Sequence, residues 1–88
     1  MQILDDNKTK GVLTTKSIAA QTTDITHVTL DDEGDWQFLG DGDFDASDLL
    51  ILPLGQIIEL DKTLGTLPNI RRKETYIRKK KSAKWQKL

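Results

Sequence analysis

Hydrophobic residues in this chain fall into short clusters separated by polar stretches rich in aspartate and glycine, and the spacing within each cluster predicts its element. Residues 11–15, with Val12, Leu13, Thr14 and Thr15, have β-branched character and read as a first strand. Residues 16–20 have room for one helical turn before the polar stretch 21–24. Residues 25–30 alternate more regularly than any other part of the chain: Thr26, Val28 and Leu30 share one face, while His27 and Thr29 point the other way. An acidic turn follows at 31–35, with Gly34 free to take positive φ, and Trp36-Gln37-Phe38-Leu39 resumes as a strand. Two such runs joined by a short glycine-containing turn predict an antiparallel hairpin. Its register should bury Val28, Leu30, Trp36 and Phe38 on one side.

Beyond the hairpin, Gly40-Asp41-Gly42-Asp43 is a loop, and Leu49-Leu50-Ile51-Leu52 is an unbroken apolar run. Such a run predicts a central strand covered on both faces. Pro53 ends it and suits the first turn of a helix, and Leu54, Ile57, Ile58 and Leu60 then fall at helical spacing. A turn-rich connection at 64–69 leads to a last strand at 75–79. Trp85 lies beyond it, either packed back or on the surface. The expected fold is a single α+β domain over residues 1–88. It has a small antiparallel sheet of about four to five strands and one or two short helices, with a loose segment at 1–10 and a loose basic tail at 80–88.

Composition adds limits to that picture. Eighty-eight residues bury only about 60–65% of the surface their unfolded form exposes, so one modest core forms and a deep substrate cavity does not. The five aromatic residues, Trp36, Phe38, Phe44, Tyr76 and Trp85, carry a large share of the packing area. The absence of cysteine removes disulfides, thiolate zinc sites and cysteine nucleophiles, and favours a reducing compartment. No basic-then-apolar leader is present, and no apolar run is long enough to span a bilayer. A cytoplasmic protein without membrane contact is the expectation.

Charge is distributed unevenly. Residues 1–61 hold thirteen acidic residues against three lysines, a net of −10, and residues 62–88 hold ten basic residues against one glutamate, a net of +9. One reading is an interaction tail. The other is that the two halves fold onto one another and neutralise.

No motif assembles a catalytic centre. His27, the sole histidine, has no nucleophile arrangement around it, and its alternation with Val28 predicts a solvent-facing position. The carboxylates lie mainly in turns, where water keeps them ordinary acids. Glu59 flanks an apolar helix face and reads as a surface residue. The run 41–48 suggests a calcium loop, but Ala46 stands where the turn glycine belongs and Leu52 where the bidentate glutamate belongs. Gly40-Asp41-Gly42-Asp43 has the glycines of a phosphate cradle and two aspartates that would repel a phosphate. No metal site and no cofactor are expected.

Two binding surfaces remain. Asp31, Asp32, Glu33, Asp35, Asp41, Asp43 and Asp45 form acidic loops suited to a basic protein partner. Arg71, Arg72, Lys73, Arg78, Lys79, Lys80 and Lys81, together with Tyr76 and Trp85, form a basic stretch with rings able to stack on bases. That is the alternative, a nucleic-acid-associated reading.

The block His27-Val28-Thr29-Leu30-Asp31-Asp32-Glu33-Gly34-Asp35-Trp36-Gln37-Phe38-Leu39-Gly40, the block Leu54-Gly55-Gln56-Ile57-Ile58-Glu59-Leu60-Asp61-Lys62-Thr63-Leu64 and the closing Trp85-Gln86 carry a resemblance. They resemble a widespread family of small bacterial proteins with a D-x-x-G-D-W-x-F strand motif and an L-G-E-I-x-x-x-D helix motif, associated with immunity proteins encoded beside polymorphic toxins. The chain departs from that pattern at Gln56, where an acidic residue is commoner, and in its more basic segment 69–81. The resemblance spans roughly residues 11–86. It implies an α+β fold, a binding role and no catalytic residues to carry over. Taken with the acidic loops, it leads to the expectation of a non-enzymatic module whose partner is a basic toxin.

Overall fold

The computed structural model describes the whole chain, Met1–Leu88. Its regular elements are β1 (Gly11–Thr15), α1 (Lys16–Ala19), β2 (His27–Leu30), β3 (Trp36–Leu39), β4 (Leu49–Pro53), α2 (Leu54–Leu60), β5 (Glu74–Ile77) and β6 (Gln86–Lys87), with short 3-10 turns at Ile3–Asp5, Ala46–Asp48 and Lys62–Thr66. The class is α+β. The six strands form one mixed sheet in the order β4-β1-β3-β2-β5-β6.

The predicted hairpin forms in the predicted register, with Val28 opposite Phe38 and Leu30 opposite Trp36. It inserts β3 between β2 and β1. Because β1 and β3 run the same way, their contact is the one parallel pair, with Leu13 beside Gln37. The sheet therefore differs from an all-antiparallel one of four to five strands at that pair, and again at β6, whose two residues are too few to show a pattern. Trp36 and Phe38 stack at 6.0 Å between ring centroids with an interplanar angle of 15°. Around them, Ile3, Val12, Ile18, Val28, Leu54, Ile57, Leu64 and Ile70 complete a core on one side of the sheet. Val12 and Val28 are contributed by β1 and β2 and the others by the two helices, the 3-10 turns and the loop before β5, so the covering elements pack on that side.

The other side is open. Register places Ile51, Leu13, Gln37, Thr29 and Thr75 in one row across it, and Leu39, His27, Ile77 and Gln86 in the next. None of these nine is buried.

Three expectations change at the margins. The run 49–52 is an edge strand, not a central one: β4 pairs only with β1, and Ile51 is 63% exposed on the open side. Leu52 packs on the core, as an alternating strand requires, so the unbroken apolar run reflects one covered face and one bare one. Residues 1–10 are mostly exposed but are anchored to the fold at a few points. Ile3 is fully buried, and the Met1 amino group donates to Asn69 Oδ1 and, at 2.7 Å, to the Ile70 carbonyl. The Trp36 indole N–H donates to Asp6 Oδ2 at 2.8 Å and holds that carboxyl below its usual range. The tail is tied as well. Lys87 Nζ meets Glu74 Oε2 at 2.6 Å across β5 and β6, a hydrogen bond that lowers the Glu74 pKa and raises that of Lys87.

Candidate functional site

The two acidic loops lie at opposite ends of the sheet, and the fold treats them differently. At the Leu30 end, Asp31 shapes the hairpin turn by accepting from the Glu33 and Asp35 amides at 2.9 Å each. Gly34 holds φ +85° there, and the Arg72 guanidinium lies over it. Lys10 Nζ sits 3.9 Å from Asp35 and donates to the Gly34 carbonyl. Lys73 lies 3.7 Å from Asp32, and Arg72 donates to the Asp32 carbonyl at 3.4 Å. Folding thus brings Arg71, Arg72 and Lys73 onto this turn, because antiparallel pairing places Glu74 beside Leu30. Opposite charge meets here within the chain at Asp32 and Asp35, while Asp31 is held by the backbone amides of the turn and Glu33 forms no ion pair.

At the His27 end, the loop from β3 to β4 is not neutralised in this way. Asp43 and Asp45 form no ion pair, and Asp48 accepts from the Asp45 amide at 2.9 Å. Asp41 faces His27, with Oδ1 3.9 Å from Nδ1, and accepts from Thr26 Oγ1 at 3.5 Å. Phe44 stands 43% exposed amid these carboxylates. From this loop the chain enters β4, which carries Leu49 and Ile51 on the open side.

The edge of β4 offers side chains more than backbone. The Leu54 N–H donates to the Lys10 carbonyl, so antiparallel alternation turns the groups of Leu50 and Leu52 toward β1 and those of Leu49, Ile51 and Pro53 outward. Pro53 has no N–H, and the Leu49 N–H is taken by the Ala46 carbonyl. Ile51 N–H is left as the single outward donor on the strand, which discourages another strand from pairing there.

The basic stretch is divided by β5. Arg71, Arg72 and Lys73 precede it at the Leu30 end; Lys79, Lys80, Lys81 and Lys84 follow it at the His27 end without an ion pair among them. Arg78 is not a surface cation. Its guanidinium is fully buried, donates to Asp61 Oδ2 at 2.7 Å, and also serves the Ile25 carbonyl, Thr63 Oγ1 and the Lys81 carbonyl at 2.8–2.9 Å. Trp85 lies on that guanidinium, 4.1 Å from ring centroid to Cζ, and both it and Tyr76 pack against the core. The aromatic residues expected to stack on bases are therefore engaged inside the fold.

Between the acidic loop and the basic turn lies a cavity of about 350 Å³, lined by His27, Asp41, Ile77, Arg78, Lys79, Ala83, Lys84 and Gln86. His27 shares a hydrogen bond with Thr26 Oγ1 at 2.8 Å through Nδ1, and Nε2 has no partner within the chain. The imidazole stands on the open side, as alternation predicts, but it lines a cavity with the lysines instead of standing alone. The sequence gives no sign of that, since Lys79 and Lys84 lie more than fifty residues from His27 and only the β2–β5 register unites them. The open-side residues Leu13, Leu39 and Ile51 form a surface of which the sequence shows only part: the alternation of β1 and β3 sets Leu13 and Leu39 opposite the core positions, while the edge position of β4 exposes Ile51.

No group of acidic or histidine side chains is arranged to hold a metal ion, and no helix is long and apolar enough to cross a membrane. Comparison with protein-family models, with curated proteins and with solved structures finds no match for this chain.

Proposed function

We propose that this chain is a non-enzymatic protein-interaction module that docks a basic protein partner with the acidic loop 41–48 and the adjoining open side of the sheet. The observation that carries the reading is the difference between the two acidic loops. The hairpin turn meets Lys10, Arg72 and Lys73, whereas Asp43 and Asp45 meet no cation. Unpaired carboxylates held together repel one another, and a basic partner relieves that repulsion while steering the encounter. Beside them, Leu13, Leu39, Leu49 and Ile51 provide apolar area of the kind that forms the centre of an interface, with the charges as its rim. The partner class agrees with the resemblance to immunity proteins, since acidic loops would suit the masking of a basic toxin. The cytoplasm fits a cysteine-free chain that meets such a partner.

A nucleic-acid role retains Lys79, Lys80, Lys81 and Lys84 but loses Arg78 and the stacking rings, and it is the weaker reading. Affinity capture from native lysate, with and without nuclease treatment, separates the two when the wild type is compared with Asp43→Lys and Ile51→Glu variants. A stoichiometric protein that survives nuclease and is lost with either variant is the expected result. Recovery of nuclease-sensitive material only, or a partner indifferent to both substitutions, overturns the proposal.

A further inference from the structure

The cavity at the His27 end has a chemistry that the docking reading does not use. Its floor is Ile77, which lies directly opposite His27 on β2 and Gln86 on β6, so three neighbouring strands fix the three side chains in one row. Its walls come from the turn after β5. That turn is held in place by Arg78, which donates to the Lys81 carbonyl at 2.8 Å, and by Asp24, which accepts from the Lys81 amide at 3.1 Å. The lysines therefore project from an anchored backbone, although the side chains themselves are long. Neither Lys79 nor Lys84 has a carboxylate partner. Asp41, the one acid lining the cavity, lies on the Nδ1 side of the imidazole and 3.5 Å from Thr26 Oγ1, which leaves Nε2 as the free ring nitrogen.

We infer that this cavity is a binding site for a phosphate monoester. Two unpaired ammonium groups, an imidazole and the Gln86 amide supply donors for several oxygens at once. With Asp41 held on the Nδ1 side of the imidazole, the two lysines leave the cavity net positive toward a group carrying about −1.5 to −2 at neutral pH. A carboxylate, with a single negative charge, would offset only one of the two lysine charges. The volume, about 350 Å³, lies at the lower end of the range for small-molecule sites. Ile77 and Ala83 give the remainder of the ligand an apolar surface. The phosphate can come from a free nucleotide or from the 5′ end of a nucleic-acid strand, and both present the same group.

The test is a titration of the full chain followed by amide NMR at neutral pH and constant ionic strength. The probes are inorganic phosphate, adenosine 5′-monophosphate, and a short oligonucleotide with or without a 5′-phosphate, with acetate as control. The expected result is saturable shifts confined to His27, Ile77, Lys79, Ala83, Lys84 and Gln86. Binding should weaken by roughly tenfold or more in a Lys79→Glu, Lys84→Glu double variant, as for loss of charge-assisted hydrogen bonds. Both lysines are exposed, so that variant keeps its fold, and its amide spectrum verifies this. Tighter binding of the mononucleotide than of inorganic phosphate identifies a free nucleotide. Discrimination for the 5′-phosphorylated strand identifies a strand end. Shifts that fail to saturate, that acetate reproduces, or that survive in the double variant overturn the site, and none of these outcomes bears on Asp43, Asp45 or Ile51, on which the docking reading rests.

Discussion

Arg78 donates to Asp61 at 2.7 Å with its guanidinium wholly out of water and the carboxylate 6% exposed, and this pair joins the end of β5 to the end of α2. The same guanidinium reaches the chain before β2 through Ile25 and the turn before β6 through Lys81, with Trp85 lying on its face. Replacing Arg78 with Met leaves Asp61 buried and unpaired, and replacing Asp61 with Asn does the converse. Each should lower stability by about 3–5 kcal/mol in urea denaturation. Arg78→Lys should not restore it, since one ammonium cannot reproduce a planar fork serving four acceptors. A loss below about 1 kcal/mol would mean that the pair is solvated in solution.

Thr14 is completely buried on β1, and its hydroxyl has no hydrogen-bond partner. Thr14→Val keeps the shape and removes an unsatisfied polar group. The expected effect is stabilisation by about 1 kcal/mol, seen as a higher denaturant midpoint with an unchanged slope. A destabilised variant would show that the hydroxyl is hydrogen-bonded after all.

Asp6 ties the N-terminal segment to Trp36, and that hydrogen bond favours the ionised carboxylate. A folded-state pKa lowered below the ordinary 3.8 gives stabilisation that is complete well above that value and lost as pH falls through the lowered one. The difference in unfolding free energy between wild type and Asp6→Asn should therefore be largest near neutral pH and shrink as the pH is taken below 3.8. A difference independent of pH would place the effect in packing rather than in charge.

Gly40 leads out of β3, and a Cβ there would sit 2.4 Å from Thr23 Cγ2 and 2.8 Å from the Asp24 carbonyl oxygen. Gly40→Ala should cost about 1–3 kcal/mol by overpacking. At Gly42 a Cβ meets nothing within 4 Å, and the backbone φ of +92° sets the cost instead. Gly42→Ala should be destabilising through strain alone, by about 1 kcal/mol. Thermal or urea denaturation of the two variants separates them, and equal effects would contradict the crowding at Gly40.

Ile51 and Leu54 lie three residues apart and differ completely in burial, 63% exposed against fully buried. Ile51→Lys should leave stability within about 0.5 kcal/mol and reduce self-association at high concentration, since charge on an edge opposes pairing. Leu54→Ala should cost about 2–5 kcal/mol. Light scattering beside denaturation checks both halves of the comparison, and a large stability loss at Ile51 would place β4 inside the sheet.

The hairpin was legible because both of its strands alternate and its turn is short. Local spacing alone puts Val28, Leu30, Trp36 and Phe38 on one side. Helix α2 was legible for the same reason, from Leu54 and Ile57 behind Pro53. The position of β4 was not, because an unbroken apolar run looks the same whether one face or both are covered. Nor was the role of Arg78. In the sequence it stands in a row of basic residues and is indistinguishable from Lys79.

The sequence by itself determined the elements and the supply of charge, since both depend on residues within a few positions of each other: a period of two or 3.6, a glycine in a turn, ten basic residues after position 61. Only the tertiary structure decided which charges meet. Pairing β5 with β2 carries Arg72 and Lys73 to the hairpin turn and Lys79 and Lys84 to His27, and burying Arg78 against Asp61 removes one cation from the surface. The physical reason is that charges interact through space, at distances of a few ångströms set by strand order and register, and neither is written in the local spacing of a chain.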